Sequence, residues 1–209
     1  MMSTELLLAF LTASVLITLA PGPDNLMVLS LGISRGREAG IGFGIGCALG
    51  CFVHTLWATL GIGVVVQESV ATFTLLKMAG AAYLVYLAAL SWRHAGQSGL
   101  LVLDAGNEAL AVHVRRGFIA NVVNPKVVLF FIAYLPQFAD PLRGAVWLQM
   151  LLLGLVFALQ TSIIFGSLGW FSGAIGARLQ RQPQLGLWLD RGAALVFLAI
   201  ALRLLATER

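Results

Sequence analysis

Two apolar stretches long enough to cross a membrane are each broken at a proline, and each break carries a charge. The first break, Ala20-Pro21-Gly22-Pro23-Asp24-Asn25, separates residues 6–19 from 26–31. The second, Asn124-Pro125-Lys126, separates residues 117–123 from 127–135. A carboxylate or an ammonium at the centre of a membrane helix costs about 2.5–3.5 kcal/mol to insert. Proline adds a second cost, because it lacks an N–H and clashes with the preceding turn. A span that only anchored the chain would gain nothing from either. Gly/Pro-interrupted segments at corresponding places in two halves of a chain point to a transporter binding site.

The length of the apolar runs sets the fold class, since about 20 residues suffice to cross a bilayer. Of 209 residues, 59% are hydrophobic and only 11% are charged, against roughly 25% charged in a soluble domain. Six spans are predicted, at 6–31, 41–66, 70–90, 117–138, 145–171 and 187–205. The division between the second and third rests on Gln67-Glu68 alone. No connection has room for a soluble domain, so residues 1–209 are expected to form one all-α, multi-pass membrane domain. A secretory signal would need a basic start and a short apolar stretch. Here Glu5 is the only charge before the first run, which continues to Leu31, so the first span is expected to remain.

The net charge of +4 is distributed unevenly. Arg35 and Arg37 lie in the first connection, Arg93, Arg115 and Arg116 in the third, and Arg178, Arg181 and Arg191 in or beside the fifth. The second connection has no Lys or Arg, and the fourth has only Arg143. Loops rich in Lys and Arg stay in the cytoplasm, which places both termini outside, although Arg203 and Arg209 pull the other way. The basic charge therefore reads as membrane orientation, and no nucleic-acid partner is expected. Cys47 and Cys51 lie one helical turn apart, where a disulfide would strain the helix and two thiols alone make no zinc site. They read as small packing residues, and neither a metal nor a cofactor is expected.

The chain reads as two copies of a three-span unit, residues 1–92 and 115–209. The two breaks correspond. Gly42-x3-Gly46-x3-Gly50 in the second span matches Gly154-x3-Ala158-x3-Ser162-x3-Gly166 in the fifth, and residues 80–88 match 192–199 with a one-residue shift. Small residues four apart lie on one helix face and let backbones approach closely; the same faces would serve internal packing or a homodimer. Because three is odd, the second copy enters the membrane from the opposite side. Inverted repeats of this kind offer two near-equivalent states around a site at their interface.

Asn124 reads as an N-cap with Pro125 at the first helical position, and Gly22-Pro23 prepares the same restart before Asp24. Each restarted half-helix aims free N–H groups and its positive dipole end at the break. Both breaks are expected on the same side of the midplane, so Asp24 and Lys126 meet around one cavity. Such a cavity suits a small zwitterion, its ammonium facing Asp24 and its carboxylate facing Lys126. The alternative is a direct structural ion pair. The candidate substrate-binding residues are Pro21, Gly22, Pro23, Asp24, Asn25, Asn124, Pro125 and Lys126. Lys77, His54 and Gln160 are candidates for proton coupling or the pathway. The plainer alternatives are snorkelling for Lys77, packing for His54 and an interhelical hydrogen bond for Gln160.

Several of these segments together resemble the LysE/RhtB amino-acid exporters. The resemblance is carried by Pro21-Gly22-Pro23-Asp24-Asn25, by Ser34-Arg35-Gly36-Arg37-Glu38-Ala39-Gly40, by residues 76–84 and by Gly117-Phe118 leading to Asn124-Pro125-Lys126. It implies a bacterial inner-membrane exporter of amino acids or close derivatives, such as threonine, homoserine or lysine, driven by the proton gradient. It also implies that the two breaks line the pathway. The residues themselves leave two other classes open: a membrane enzyme acting on a lipid-linked substrate, and a passive small-solute channel. An enzyme of that kind usually clusters carboxylates or histidines at the membrane surface, whereas the spans here hold only Asp24 and, near the start of the last span, Asp190, with no cluster. A channel filter tends to carry one sign of charge or carbonyl dipoles. No phosphate-cradling Gly-rich loop followed by Lys and Ser/Thr occurs, so no ATP-driven step is expected.

Overall fold

The computed structural model of the protein describes residues 4–62, 70–96 and 108–206, and every regular element in them is helical. Helix α1 (Thr4–Leu19) is followed after the first break by α2 (Pro23–Ser34), and the two meet at 56°. Helix α3 (Arg37–Trp57) ends in a π-helical turn, Ala58–Ile62, and α4 covers Val70–Arg93. Helix α5 (Leu110–Val122) meets α6 (Pro125–Phe138) at 52° across the second break. Helix α7 (Val146–Trp170), the short α8 (Ser172–Arg181) and α9 (Pro183–Ala206) complete the order. Among the described residues, three helices are by length and composition able to cross a membrane, and five if each bent pair counts as one span. The predicted third span falls on α4, which at 24 residues extends about 36 Å. Residues 63–66 of the predicted second span and the Gln67-Glu68 hinge lie outside the described residues.

Both breaks follow from their prolines. At the first, Gly22 takes an extended conformation (φ −169°, ψ 177°) and Pro23 opens α2. At the second, the Asn124 side chain accepts a hydrogen bond from the Lys126 backbone N–H at 3.0 Å, and Pro125 opens α6. This is the predicted cap. Within α6 the backbone passes from α-helix to a π turn, Phe130–Tyr134, and then to a 3-10 turn, Leu135–Phe138.

Three helices start at least four residues earlier than hydropathy predicts, one of them α9, at Pro183 instead of 187. The fourth span, expected from residue 117, begins as a helix at Leu110, so Arg115 and Arg116 are helical rather than part of a loose connection. Hydropathy stops at the arginines. The helix continues because His113 is buried on the inner face, while Arg116 is about half exposed. The second span begins at Arg37 instead of 41, directly after Gly36, whose φ of +92° reverses the chain and favours glycine. Helix α8 was not anticipated as an element. It packs along α2 and carries Arg178 and Arg181 in its last turn.

Helix α3 is the centre of the packing, with α5 on one side and α7 on the other. The predicted small-residue row makes the first contact: Gly46 lies against the Val114 carbonyl, Gly50 against Asn121 and Gly42 against Leu110. Gly117 returns the contact from α5, against the Phe43 carbonyl. On the other side Gly44 meets Phe165, Gly154 meets Thr55, and Gly169 meets Gly40 and Ile41. The α7 row is used only in part, because Gly166 faces open space. Helices α4 and α9 pair along their lengths. Phe10, Phe130, Phe131, Tyr134, Phe138 and Phe157 form an aromatic core between α1, α6 and α7, with ring centroids 4.8–6.3 Å apart. Leu8, Leu75, Ile163 and Leu202 are exposed on the outer faces of their helices, as a lipid solvent allows.

Candidate functional site

The two breaks come together, and each charge is met by the end of a half-helix. Asp24 is buried in the first turn of α2, at the positive end of that helix dipole. Its carboxylate accepts a hydrogen bond from Asn121 Nδ2 at 3.0 Å. Lys126, also buried, donates to the main-chain carbonyls of Ile17 at 3.2 Å and Ala20 at 3.0 Å. Those carbonyls belong to the last turn of α1 and the residue after it, where a helix leaves acceptors without intrahelical partners. Asn25 Nδ2 takes a third, Thr18 O, at 2.8 Å. The chain thus crosses the break with the α1 carbonyls bonded by side chains of α2 and α6.

Among the described residues, no ion pair joins Asp24 to Lys126. The direct structural pair, one of the two arrangements the sequence left open, is not what the geometry contains. Instead the two residues line a shared cavity of about 20 Å³ with Ile17, Thr18, Asn121 and Thr161, room for about one water molecule. A larger cavity of about 660 Å³ reaches Asp24, Asn124 and Pro125 from the end of the helices where Arg35 and Arg116 lie. A third, of about 600 Å³, touches Pro21 and Asn25 from the side of α8 and α9.

Pro23 and Pro125 are exposed at corresponding places and shape the breaks from outside. Gly22 lies against the Lys126 ammonium: a Cβ there would stand 2.9 Å from Nζ. Gln160 donates to Thr18 Oγ1 at 2.9 Å, which brings α7 to the first break. The His54 ring nitrogen Nε2 lies 3.0 Å from the Asn121 carbonyl, one residue removed from Asp24. Lys77 is not brought to the breaks. It donates to Leu205 O at 3.4 Å, near the last turn of α9.

Asn121 is a residue of the breaks that the sequence did not single out. It joins Asp24, His54 and Cys51, whose thiol lies 3.8 Å from Asn121 Oδ1. The available signal was its position one turn before Asn124, on the same side of a helix ending at the break. Cys47 and Cys51 are buried free thiols, as their spacing suggested.

At the Arg35 end, Glu108 closes a clasp. Its carboxylate accepts from Arg116 Nη2 at 2.9 Å and pairs with Arg35, tying the end of α2 to the start of α5. The Arg116 hydrogen bond holds the Glu108 carboxyl below its ordinary range; desolvation opposes it, and the Arg116 and Arg35 charges add to the lowering. The clasp is therefore present at neutral pH and is lost as pH falls through that lowered value.

Residues 15–208 match the LysE type translocator family model. The chain is 32% identical to an uncharacterized membrane protein of Vibrio cholerae serotype O1, over 100% of both chains. It is 28% identical to a homoserine/homoserine lactone efflux protein of Salmonella typhimurium over 88% of each chain. It is 27% identical to a leucine efflux protein of an Enterobacter strain, over 93% of this chain and 92% of the relative. No solved structure gives a significant match. The family is one of translocators and two of these relatives are named efflux proteins, that is, transporters rather than enzymes. The chain belongs to the LysE type translocator family.

Proposed function

We propose that the protein is a secondary active transporter that exports a small amino acid or close derivative across the bacterial inner membrane in exchange for protons. Six spans in two inverted repeats, residues 1–92 and 115–209, alternate the central cavity between the two faces, and the Arg-rich connections lie in the cytoplasm. The observation that carries the reading is the pairing of opposite charges without contact: Asp24 and Lys126 line one cavity but satisfy separate partners. A zwitterion completes such a site, its ammonium toward Asp24 and its carboxylate toward Lys126. Pro21, Gly22, Pro23, Asn25, Asn124 and Pro125 hold the breaks open around it. The cavity beneath Arg35 and Arg116 is the cytoplasmic approach, and the Glu108 clasp stands beside its mouth. His54, joined to Asp24 through Asn121, is the candidate group for the proton.

The names of the relatives narrow the substrate. Homoserine, its lactone and leucine share a primary ammonium next to a carbonyl carbon, whereas the lactone has no free carboxylate. An amine-bearing substrate with a small side chain is the common chemistry.

Purified protein in lipid vesicles tests the reading. An imposed pH gradient or membrane potential is expected to drive leucine or homoserine against its concentration, with no requirement for ATP. Movement that equilibrates substrate and ignores both gradients would make the protein a passive channel or facilitator.

A further inference from the structure

The Lys126 ammonium occupies a place already shaped for a primary amine. Two carbonyls, from Ile17 and Ala20, point at it from the negative end of α1. Gly22 allows the approach, since its Cβ would stand 2.9 Å from Nζ and 3.8 Å from Asn25 Oδ1. Asn25 Oδ1 is buried and has no hydrogen-bond partner, and the same holds for Gln160 Oε1 on the other side of Thr18. A primary ammonium has three N–H donors and no acceptor. Two carbonyls with an unpartnered buried acceptor nearby meet that requirement, and no anion would be stable there.

We propose that the carbonyls of Ile17 and Ala20 are the ammonium subsite of this transporter, and that Lys126 is a resident ammonium which the substrate's amine displaces. The proposal rests on the reading of the breaks as the substrate site and adds what the substrate's amine touches. Lysine suits the role because its charge sits at the end of a flexible four-carbon stem. When the substrate amine takes the carbonyls, the Lys126 ammonium turns to the substrate's carboxylate or ester carbonyl. The carbonyls never lose a cationic partner, and a net-neutral zwitterion adds no charge to the membrane interior. Specificity follows from geometry. A primary amine donates to both carbonyls, while a trimethylated amine has the same charge and no donor, and is expected to bind about tenfold to a hundredfold more weakly.

The test uses methylammonium as the probe and thermal unfolding of purified protein as the readout, so it needs no transport activity. In Lys126→Ala the side chain that fills the subsite is gone. Methylammonium chloride is expected to raise the unfolding temperature of this variant saturably, while tetramethylammonium chloride and sodium chloride at equal concentration do not. Wild-type protein, with its own ammonium in place, is expected to show no such rise. Adding Gly22→Ala to Lys126→Ala puts a methyl group where the ammonium binds and is expected to abolish the effect, which separates this subsite from simple pairing with Asp24. Should Lys126→Ala fold poorly, the same comparison is read as recovery of folded protein purified in methylammonium against tetramethylammonium. Equal responses to the two ions, no response to either, or a response that survives Gly22→Ala would overturn the proposal. Gradient-driven export by the wild type would still stand in that case, so the two readings fail separately.

Discussion

Asp24→Asn combined with Lys126→Met is expected to leave a folded protein whose transport has fallen by about a hundredfold or more. The number follows from two charge-assisted contacts to substrate at about 1.5–3 kcal/mol each. If the two charges existed only to neutralise one another, each single variant would strand a charge in the membrane, and the double would restore both folding and transport. The structure argues otherwise, because Asp24 is held by Asn121 and the α2 terminus, and Lys126 by Ile17 O and Ala20 O. Removing Lys126 leaves two buried carbonyls without a donor, at about 1–3 kcal/mol each. Asn at position 24 keeps an oxygen for Asn121 and loses only the charge. Both single variants and the double are therefore expected to lose transport, with the double less stable than wild type but still folded in detergent. Normal transport by the double variant would show that neither charge touches substrate.

The largest effect on folding is expected at the α3–α5 contact. A Cβ on Gly46 would overlap the Val114 carbonyl, and one on Gly117 would overlap the Phe43 carbonyl. Both obstacles are main chain in packed helices, which cannot yield as the end of a flexible side chain does. Overpacking usually costs about 1–3 kcal/mol and more where backbone must move. Gly46→Val and Gly117→Val are expected to cost at least about 3 kcal/mol, seen as loss of monodisperse protein in size-exclusion chromatography. Gly166→Ala, which meets open space, is expected to behave as wild type. Since α5 carries Asn121 to the break, even a folded variant at Gly46 would displace the residue that holds Asp24.

The proline breaks were legible because Pro and Gly act locally: Asn124 capping the Lys126 N–H and Pro125 opening α6 are short-range events. The Gly42-Gly46-Gly50 row was legible for a related reason, since a four-residue period puts all three on one face. What the row touches was not, because nothing local to α3 names α5 as its neighbour. Hydropathy misplaced the start of α5 by seven residues, reading Arg115 and Arg116 as an aqueous connection, when one face of that turn buries His113 and the other is exposed. The meeting of Asp24 with Lys126 at one cavity was inferred from helix direction and depth. The carbonyls that receive Lys126 were beyond reach, because main-chain acceptors carry no letter in a sequence and Ile17 and Ala20 read only as apolar. For Lys77 the conspicuous charge gave no hint of the Leu205 carbonyl to which it donates, a feature of the α4–α9 pairing.

The central claim is that one cavity recognises both ends of an amino acid, and calorimetric binding to the purified wild-type protein tests it most directly. Leucine is compared with 4-methylpentanoate, which lacks the amine, and with 3-methylbutylamine, which lacks the carboxylate. Leucine is expected to bind, and each analogue to bind at least about tenfold more weakly, since one hydrogen-bonded charge is worth about 1.5–3 kcal/mol. The larger loss is expected for 4-methylpentanoate, which offers nothing to Asp24 or to the α1 carbonyls. Binding of either one-ended analogue as tightly as leucine would contradict the account.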